Sequence, residues 1–258
     1  MSTADVSEDA FLGGRVRVLQ PKAGYRAGLD AVLLAASAPF DATSACRVLD
    51  VGAGVGTVGL CVAARCPSAQ VVLLEREPVL AELAQRNVEL NGFEGRVRVV
   101  NAAVGSAAEV LSALDVRADG FDYVYANPPY HTEGRGTLAP DALKAASHAM
   151  PETALDDWVR FMARMAAPGG TATMVHKADA LAAILAAFGG RFGDVRVLPL
   201  HPREGEPARR VIVQGVKGSR APMALLPGVV LHGEAGTAFT GAAQMILRDG
   251  AGLSLRTR

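Results

Sequence analysis

The sequence predicts an α/β fold with a mostly parallel sheet and helices on both faces. Three observations carry this. Apolar strand-like runs alternate with helical stretches from Arg47 onward, a glycine-rich turn joins the first run to a helix, and the composition supports a large core. Half of the 258 residues are hydrophobic, which excludes a disordered chain. Only 13 are aromatic, so the core is expected to be built of Ala, Val and Leu.

The elements follow in order. RVLDV (47–51) is a continuous apolar run, then comes the glycine loop and a helix to about residue 65. VVLLE (71–75) is the next strand. PVLAELAQRNVELNG (78–92) reads as a helix, with Pro78 suited to its first turn and Asn91-Gly92 to its end. VRVV (97–100) and FDYVYA (121–126) continue the strands. A helix around Asp156–Met165 is expected to stop at Pro168-Gly169-Gly170, before the strand TATMVH (171–176). ADALAAILAAF (178–188) is helical, and VRVLPL (195–200) and RVIVQ (210–214) complete the strands. Uninterrupted apolar strands are those buried on both faces. Residues 1–45 read as an N-terminal extension and 46–258 as the main domain. The extension holds a Gly13-Gly14 turn, the alternating RVRVLQ (15–20) and a helix over DAVLLAAS (30–37).

Lys plus Arg and Asp plus Glu balance at 26 each, which argues against binding polyanions through bulk charge. The balance hides a split. Residues 191–258 carry ten basic and five acidic side chains, and 1–190 carry 16 and 21, so an anionic partner is expected near the C-terminal third. The acidic, polar start MSTADVSEDA suits neither a secretory signal nor a transit peptide. No apolar run approaches the roughly 18 residues that span a bilayer, and a cytoplasmic protein is expected. Cys46, Cys61 and Cys66 are scattered and read as reduced, buried thiols. The histidines show no metal-ligand spacing, so no metal is expected.

The sharpest local pattern is Val48-Leu-Asp-Val-Gly-Ala-Gly-Val-Gly-Thr57, a strand running through glycines 52, 54 and 56 into a helix. Glycines there allow a tight turn and a close approach to a ligand, where a Cβ would collide. Thr57 stands where a dinucleotide fingerprint needs its third glycine. Glu75, at the end of the next strand, can accept hydrogen bonds from both hydroxyls of a ribose and would repel a 2′-phosphate.

This stretch resembles motif I of the class I S-adenosylmethionine-dependent methyltransferases. The resemblance implies a Rossmann-like, mostly parallel seven-stranded sheet with S-adenosylmethionine as cofactor. It places Asp50, Gly52, Ala53, Gly54 and Gly56 beneath the methionine part of the cofactor and Glu75 on its ribose. The family often has an Asp after the third strand that bonds the adenine amino group. Here the segment is Asn101-Ala102-Ala103-Val104. Either Asn101 or backbone groups of Asn101, Ala102 and Ala103 do that work, or the adenine is held loosely.

The second pattern, Asn127-Pro128-Pro129-Tyr130, follows the fourth strand. Two prolines fix an extended backbone and remove two N–H groups, leaving outward carbonyl acceptors. The Asn127 amide adds an acceptor and Tyr130 a flat apolar face. Such a set grips a planar –NH2 on a conjugated system, drawing its lone pair out of conjugation while the ring stacks on Tyr130. The pair of patterns is similar to the amino-methyltransferase branch, which methylates exocyclic nitrogens of bases or a glutamine amide.

FLGGRVRVLQPKAGYRAGLDAVLLAA (11–36), HPREGEPARRVIVQGVKGS (201–219) and FTGAAQMILRDG (239–250) resemble segments of the bacterial tRNA (adenine-N6)-methyltransferases that act on the anticodon loop of a valine tRNA. By that resemblance Arg26 or Asp30 lies near the cofactor's carboxylate or ammonium. Asp30 as a helix N-cap is the other reading. Lys22, Tyr25 and His131 are candidates for the substrate border, and Arg203, Arg209 and Arg210 for phosphate contacts, since guanidinium forks suit phosphates. Trp158 reads as core. The expected function is methyl transfer to an exocyclic amine, adenine N6 of a tRNA first. A glutamine-amide enzyme, another rRNA or DNA amino-methyltransferase, and a non-catalytic nucleotide- or RNA-binding module are the alternatives.

Overall fold

Seven strands form the body of one sheet: β3 (Cys46–Val51), β4 (Ala69–Glu75), β5 (Val97–Asn101), β6 (Phe121–Ala126), β7 (Ala166–Lys177), β8 (Phe192–His201) and β9 (Arg210–Lys217). Their spatial order is β5-β4-β3-β6-β7-β9-β8. β5, β4, β3, β6 and β7 are mutually parallel, and β9 is antiparallel to both β7 and β8. The computed structural model describes residues 5–23, 26–37, 45–129, 154–233 and 236–255. Two short strands, β10 (Ala224–Leu225) and β11 (Val229–Val230), pair with the outer edge of β8 and raise the count to nine. Two further strands, β1 (Val6–Phe11) and β2 (Val16–Pro21), form a separate hairpin.

The apolar runs alternate between two cores because successive strand side chains point to opposite faces. Val48, Val71, Leu73 and Val97 face one core, shared with α1 (Leu29–Ala36), α2 (Thr57–Arg65) and α3 (Pro78–Leu90). Leu49, Val51, Val72, Leu74 and Val124 face the other, with α4 (Ala108–Ala113), α5 (Ala154–Met165) and α6 (Leu181–Phe188). Pro78 does open α3 and Asn91 caps its end.

Two expectations are corrected. The helix before β7 ends at Met165, and the strand begins at Ala166 instead of Thr171. A register shift between Phe121 and Tyr123 lets Pro168-Gly169-Gly170 bulge out of the ladder without ending it. The short helix α4 was not anticipated. Among the described residues no helix is long and apolar enough to cross a membrane.

The close seat of α2 on the sheet depends on Gly59. A Cβ there would lie 2.2 Å from Leu73 Cδ2 and 3.0 Å from Val71 Cγ1. Gly59→Ala is therefore expected to destabilise the fold by about 1–3 kcal/mol, overpacking outweighing the better helix propensity of Ala. Urea unfolding reads this directly, and an unchanged or higher midpoint would contradict it.

Candidate active site

The register of the central strands builds the site. Val51 of β3 lies opposite both Leu74 of β4 and Ala126 of β6. The next residues, Gly52, Glu75 and Asn127, thus lie side by side at the carboxyl edge of the sheet, on strands about 4.8 Å apart. The chain order also reverses here, since β4 lies on one side of β3 and β6 on the other. Crevices that bind ligands in open α/β sheets occur at such switch points.

A cleft opens at this edge. Asp50, Gly52, Ala53, Gly54, Val55, Thr57 and Val58 form its floor, and Asn127 stands at one end. Gly54 has φ +57°, and a Cβ there would meet no atom within 4 Å, so it would project into open space. Thr57, at the start of α2, is 2% exposed, and its hydroxyl has no hydrogen-bond partner among the described residues. A glycine cradle and an orphaned buried hydroxyl facing one cleft fit a polar ligand of nucleoside size. Trp158 of α5 packs against the floor from the other side, where a Cβ on Gly52 would lie 2.3 Å from its Cη2.

Glu75 is buried, and its two carboxylate oxygens accept from the Gly54 N–H (2.8 Å) and the Glu77 N–H (2.9 Å). It braces the loop, and each oxygen retains a lone pair for a second donor. Asn101 donates its amide –NH2 to the Glu75 and Arg76 carbonyls, at 2.8 and 3.0 Å. The Ala102 N–H goes to the Glu75 carbonyl and the Ala103 N–H to Ser106 Oγ. These donors already have partners inside the protein. What remains for a ligand there is acceptor oxygens.

The N-terminal wall of the cleft consists of Gln20, Pro21, Ala23, Ala27 and Ala31. The Gln20 amide bonds the Ala27 N–H (2.7 Å) and carbonyl (3.1 Å), tying the end of β2 to the residue two before α1. Arg26 is not among the lining residues. Its guanidinium is held by Asp9, by Ser7 Oγ and by the Pro21 carbonyl, because three acceptors of the hairpin converge on it. Asp30 does not cap α1 but pairs with Arg210 Nε at 3.0 Å. Arg210 is thereby a strut between β9 and α1. Arg203 donates to the Gly236 carbonyl, whereas Arg209 is 76% exposed. Lys22 is exposed at the end of β2. Pro128 is buried and Pro129 half-buried beyond Asn127. Tyr25, Tyr130 and His131 lie outside the described residues. Gln20 and Thr57 escaped the sequence reading. Gln20 had a signal, being a polar residue in register with Val16 and Val18 on the buried face of an alternating strand.

Asp50 is fully buried and accepts from the Gly59 N–H at 2.9 Å. Burial pushes its carboxyl up to about 7, the Gly59 hydrogen bond opposes the rise, and the charge of Glu75 adds to it. A carboxyl raised in the folded state holds its proton while the unfolded chain has lost it. Its contribution to stability is therefore full below about pH 4 and falls as pH rises towards about 7. Asp50→Asn keeps an acceptor for Gly59 and removes the buried charge. Above pH 7 it is expected to raise the thermal midpoint relative to wild type, with the gain shrinking towards pH 4. A midpoint difference that does not change with pH would contradict it.

Comparison with known proteins agrees with this geometry. Residues 30–153 match the methyltransferase small domain. The chain is 27% identical over 210 residues to a Bacteroides fragilis protein named tRNA1(Val) (adenine(37)-N6)-methyltransferase, covering 81% of this chain and 84% of that one. A Porphyromonas gingivalis protein of the same name is 28% identical over 199 residues, 74% and 76% of the two chains. The crystal structure of Atu636 from Agrobacterium tumefaciens, described as a predicted O-methyltransferase, superposes with a TM-score of 0.73 and 33% identity, covering 87% of this chain and 98% of that one. With that identity over nearly the whole of a solved relative, and with the small-domain match across the glycine loop and Asn127, this chain belongs to the class I methyltransferases, which take their methyl group from S-adenosylmethionine.

Proposed function

We propose that the protein methylates the exocyclic N6 of adenine in a tRNA, at position 37 of a valine tRNA as the names of its relatives indicate, and that it works in the cytoplasm. The observation that carries the amine assignment is the position of Asn127, a strand's width from Gly52 and lining the same cleft. Asp50, Gly52, Ala53, Gly54, Gly56 and Thr57 would hold the methionine part of the cofactor and Glu75 its ribose. Asn101, Ala102 and Ala103 would offer carbonyl and amide oxygens to the adenine. When bound, S-adenosylmethionine supplies an electrophilic methyl group on a sulfonium.

The chain's own work is to orient the amine. The Asn127 amide oxygen and the Pro128 carbonyl accept its two hydrogens, which pulls the lone pair out of conjugation and aims it at the cleft. Tyr130 stacks on the base, which is turned out of its loop to reach the site.

Incubation of the protein with S-adenosylmethionine and tRNA, followed by nucleoside mass spectrometry, is expected to show N6-methyladenosine. A ribose or phenol methyl ether, or methylated glutamine in a protein substrate, would contradict the reading. Asn127→Ala is expected to lower turnover by roughly 10²–10³ with cofactor affinity within a few-fold, the scale for one preorganised polar contact. Gly54→Val, whose side chain would enter the cleft, is expected to abolish cofactor binding in calorimetry. Tyr130→Phe should retain far more activity than Tyr130→Ala, since stacking needs the ring.

The arginines separate by structure. tRNA affinity should fall with salt between about 50 and 200 mM, at a log–log slope of about −0.7 to −0.9 per phosphate. Arg209→Ala, removing an exposed guanidinium, should reduce that slope by about 1. Arg210→Ala should leave the slope unchanged and lower the thermal midpoint by breaking the pair with Asp30. The reverse pattern would put Arg210 on the RNA.

A further inference from the structure

Two asparagines four residues apart on α3 hold the hairpin in a way no helix–strand packing requires. Asn91 Oδ1 accepts from the Arg17 N–H (2.9 Å) and its Nδ2 donates to the Arg17 carbonyl (2.7 Å). Asn87 repeats the pattern with Leu19, at 2.7 and 3.0 Å. Each side-chain amide thus takes the place of a peptide group on a neighbouring strand. The spacing explains why this works. Four helical residues advance about 6 Å and two strand residues about 6.7 Å, so an i, i+4 pair matches alternate residues of β2. Arg17 and Leu19 offer these groups on the edge of β2 that points away from β1, as alternate residues do in an antiparallel pair.

The second amide hydrogen separates the two: Asn91 Nδ2 gives it to the Asn87 carbonyl at 2.7 Å, within its own helix, whereas Asn87 sends it out of the helix. Its Nδ2 also donates to the Val55 carbonyl at 3.0 Å, and its side chain is completely buried. Val55 belongs to the glycine loop, the floor of the cleft, while Leu19 leads directly into Gln20 and Pro21, its N-terminal wall. One amide therefore ties the floor of the cleft to its N-terminal wall and uses both of its N–H donors in doing so.

We infer that Asn87 is a positioning residue that sets the width of the cofactor cleft by fixing the hairpin against the glycine loop. It touches no reacting atom, and its effect is on affinity for the cofactor. The inference rests on the reading of this cleft as the cofactor site, which the affinity of the wild-type protein for S-adenosylhomocysteine tests by itself. The ratios between variants test the role of Asn87.

Calorimetry with S-adenosylhomocysteine on the full chain, paired with steady-state kinetics, distinguishes the outcomes. Asn87→Ala is expected to weaken binding by about tenfold or more, from the loss of three hydrogen bonds and the slack between walls. The KM for S-adenosylmethionine should rise with kcat retained within about twofold, the mark of binding lost equally in ground and transition states. Asn91→Ala removes an equivalent rung from the same helix and strand without touching the glycine loop. It is expected to lower the thermal midpoint and leave cofactor affinity within about twofold.

Wild-type affinity in Asn87→Ala would overturn the inference. Equal weakening in both variants would overturn it too, because hairpin docking alone would then account for the effect. Should Asn87→Ala fail to fold, the isosteric Asn87→Asp serves. It keeps the acceptor for Leu19 but sets a carboxylate against two carbonyls, and a proton there restores one donor. Its affinity relative to wild type should recover between about pH 8 and 6, since a buried carboxyl facing acceptors titrates high. A ratio independent of pH would count against the role.

Discussion

Parallel pairing in register at the carboxyl edge of the sheet is the constraint on which the rest depends. Because Leu74, Val51 and Ala126 sit at one level, Glu75, the glycine loop and Asn127 come together at the ends of three adjacent strands. A slip of one residue in β6 would move Asn127 along the edge and turn the FDYVYA side chains to the wrong faces of the sheet. The apolar alternation that fills the two cores therefore also fixes the geometry of the chemistry. The same pattern of residues specifies both.

The floor of the cleft is built at some cost in stability. Asp50 is a buried acid held by a single backbone donor, and Thr57 carries a hydroxyl with no partner among the described residues. Both become understandable if a cationic, polar cofactor completes them, since buried polar groups are normally satisfied. Glu75, by contrast, already has one backbone donor on each oxygen before any ligand arrives, with a lone pair left on each. It shapes the loop through Gly54 and Glu77, so the ribose contact proposed for it would fall to the side chain that also sets the loop geometry.

Much of this was legible in the sequence. The strand–glycine–helix run, the acid at position 75 and Asn-Pro-Pro after the fourth apolar strand each use residue types whose chemistry is local, and the structure brings them to one edge. The struts were less legible. Arg26 and Arg210 carry charge on loops and strand ends, which reads as ligand binding, and only tertiary packing shows that Asp9 and Asp30 claim them. The donors of residues 101–103 were likewise claimed by neighbouring carbonyls and by Ser106. Asn87 was hidden because its partners lie 68 and 32 residues away in the chain, while within α3 it looks like an ordinary polar helix position.

The central claim is that the cleft between the glycine loop and Asn127 is where cofactor and amine meet. A crystal structure of the protein with S-adenosylhomocysteine tests it most directly. The claim requires the ligand to lie along Gly52–Thr57 with its ribose at Glu75 and its sulfur at the Asn127 end of the cleft. A ligand bound elsewhere, or one whose sulfur faces away from Asn127, would contradict it.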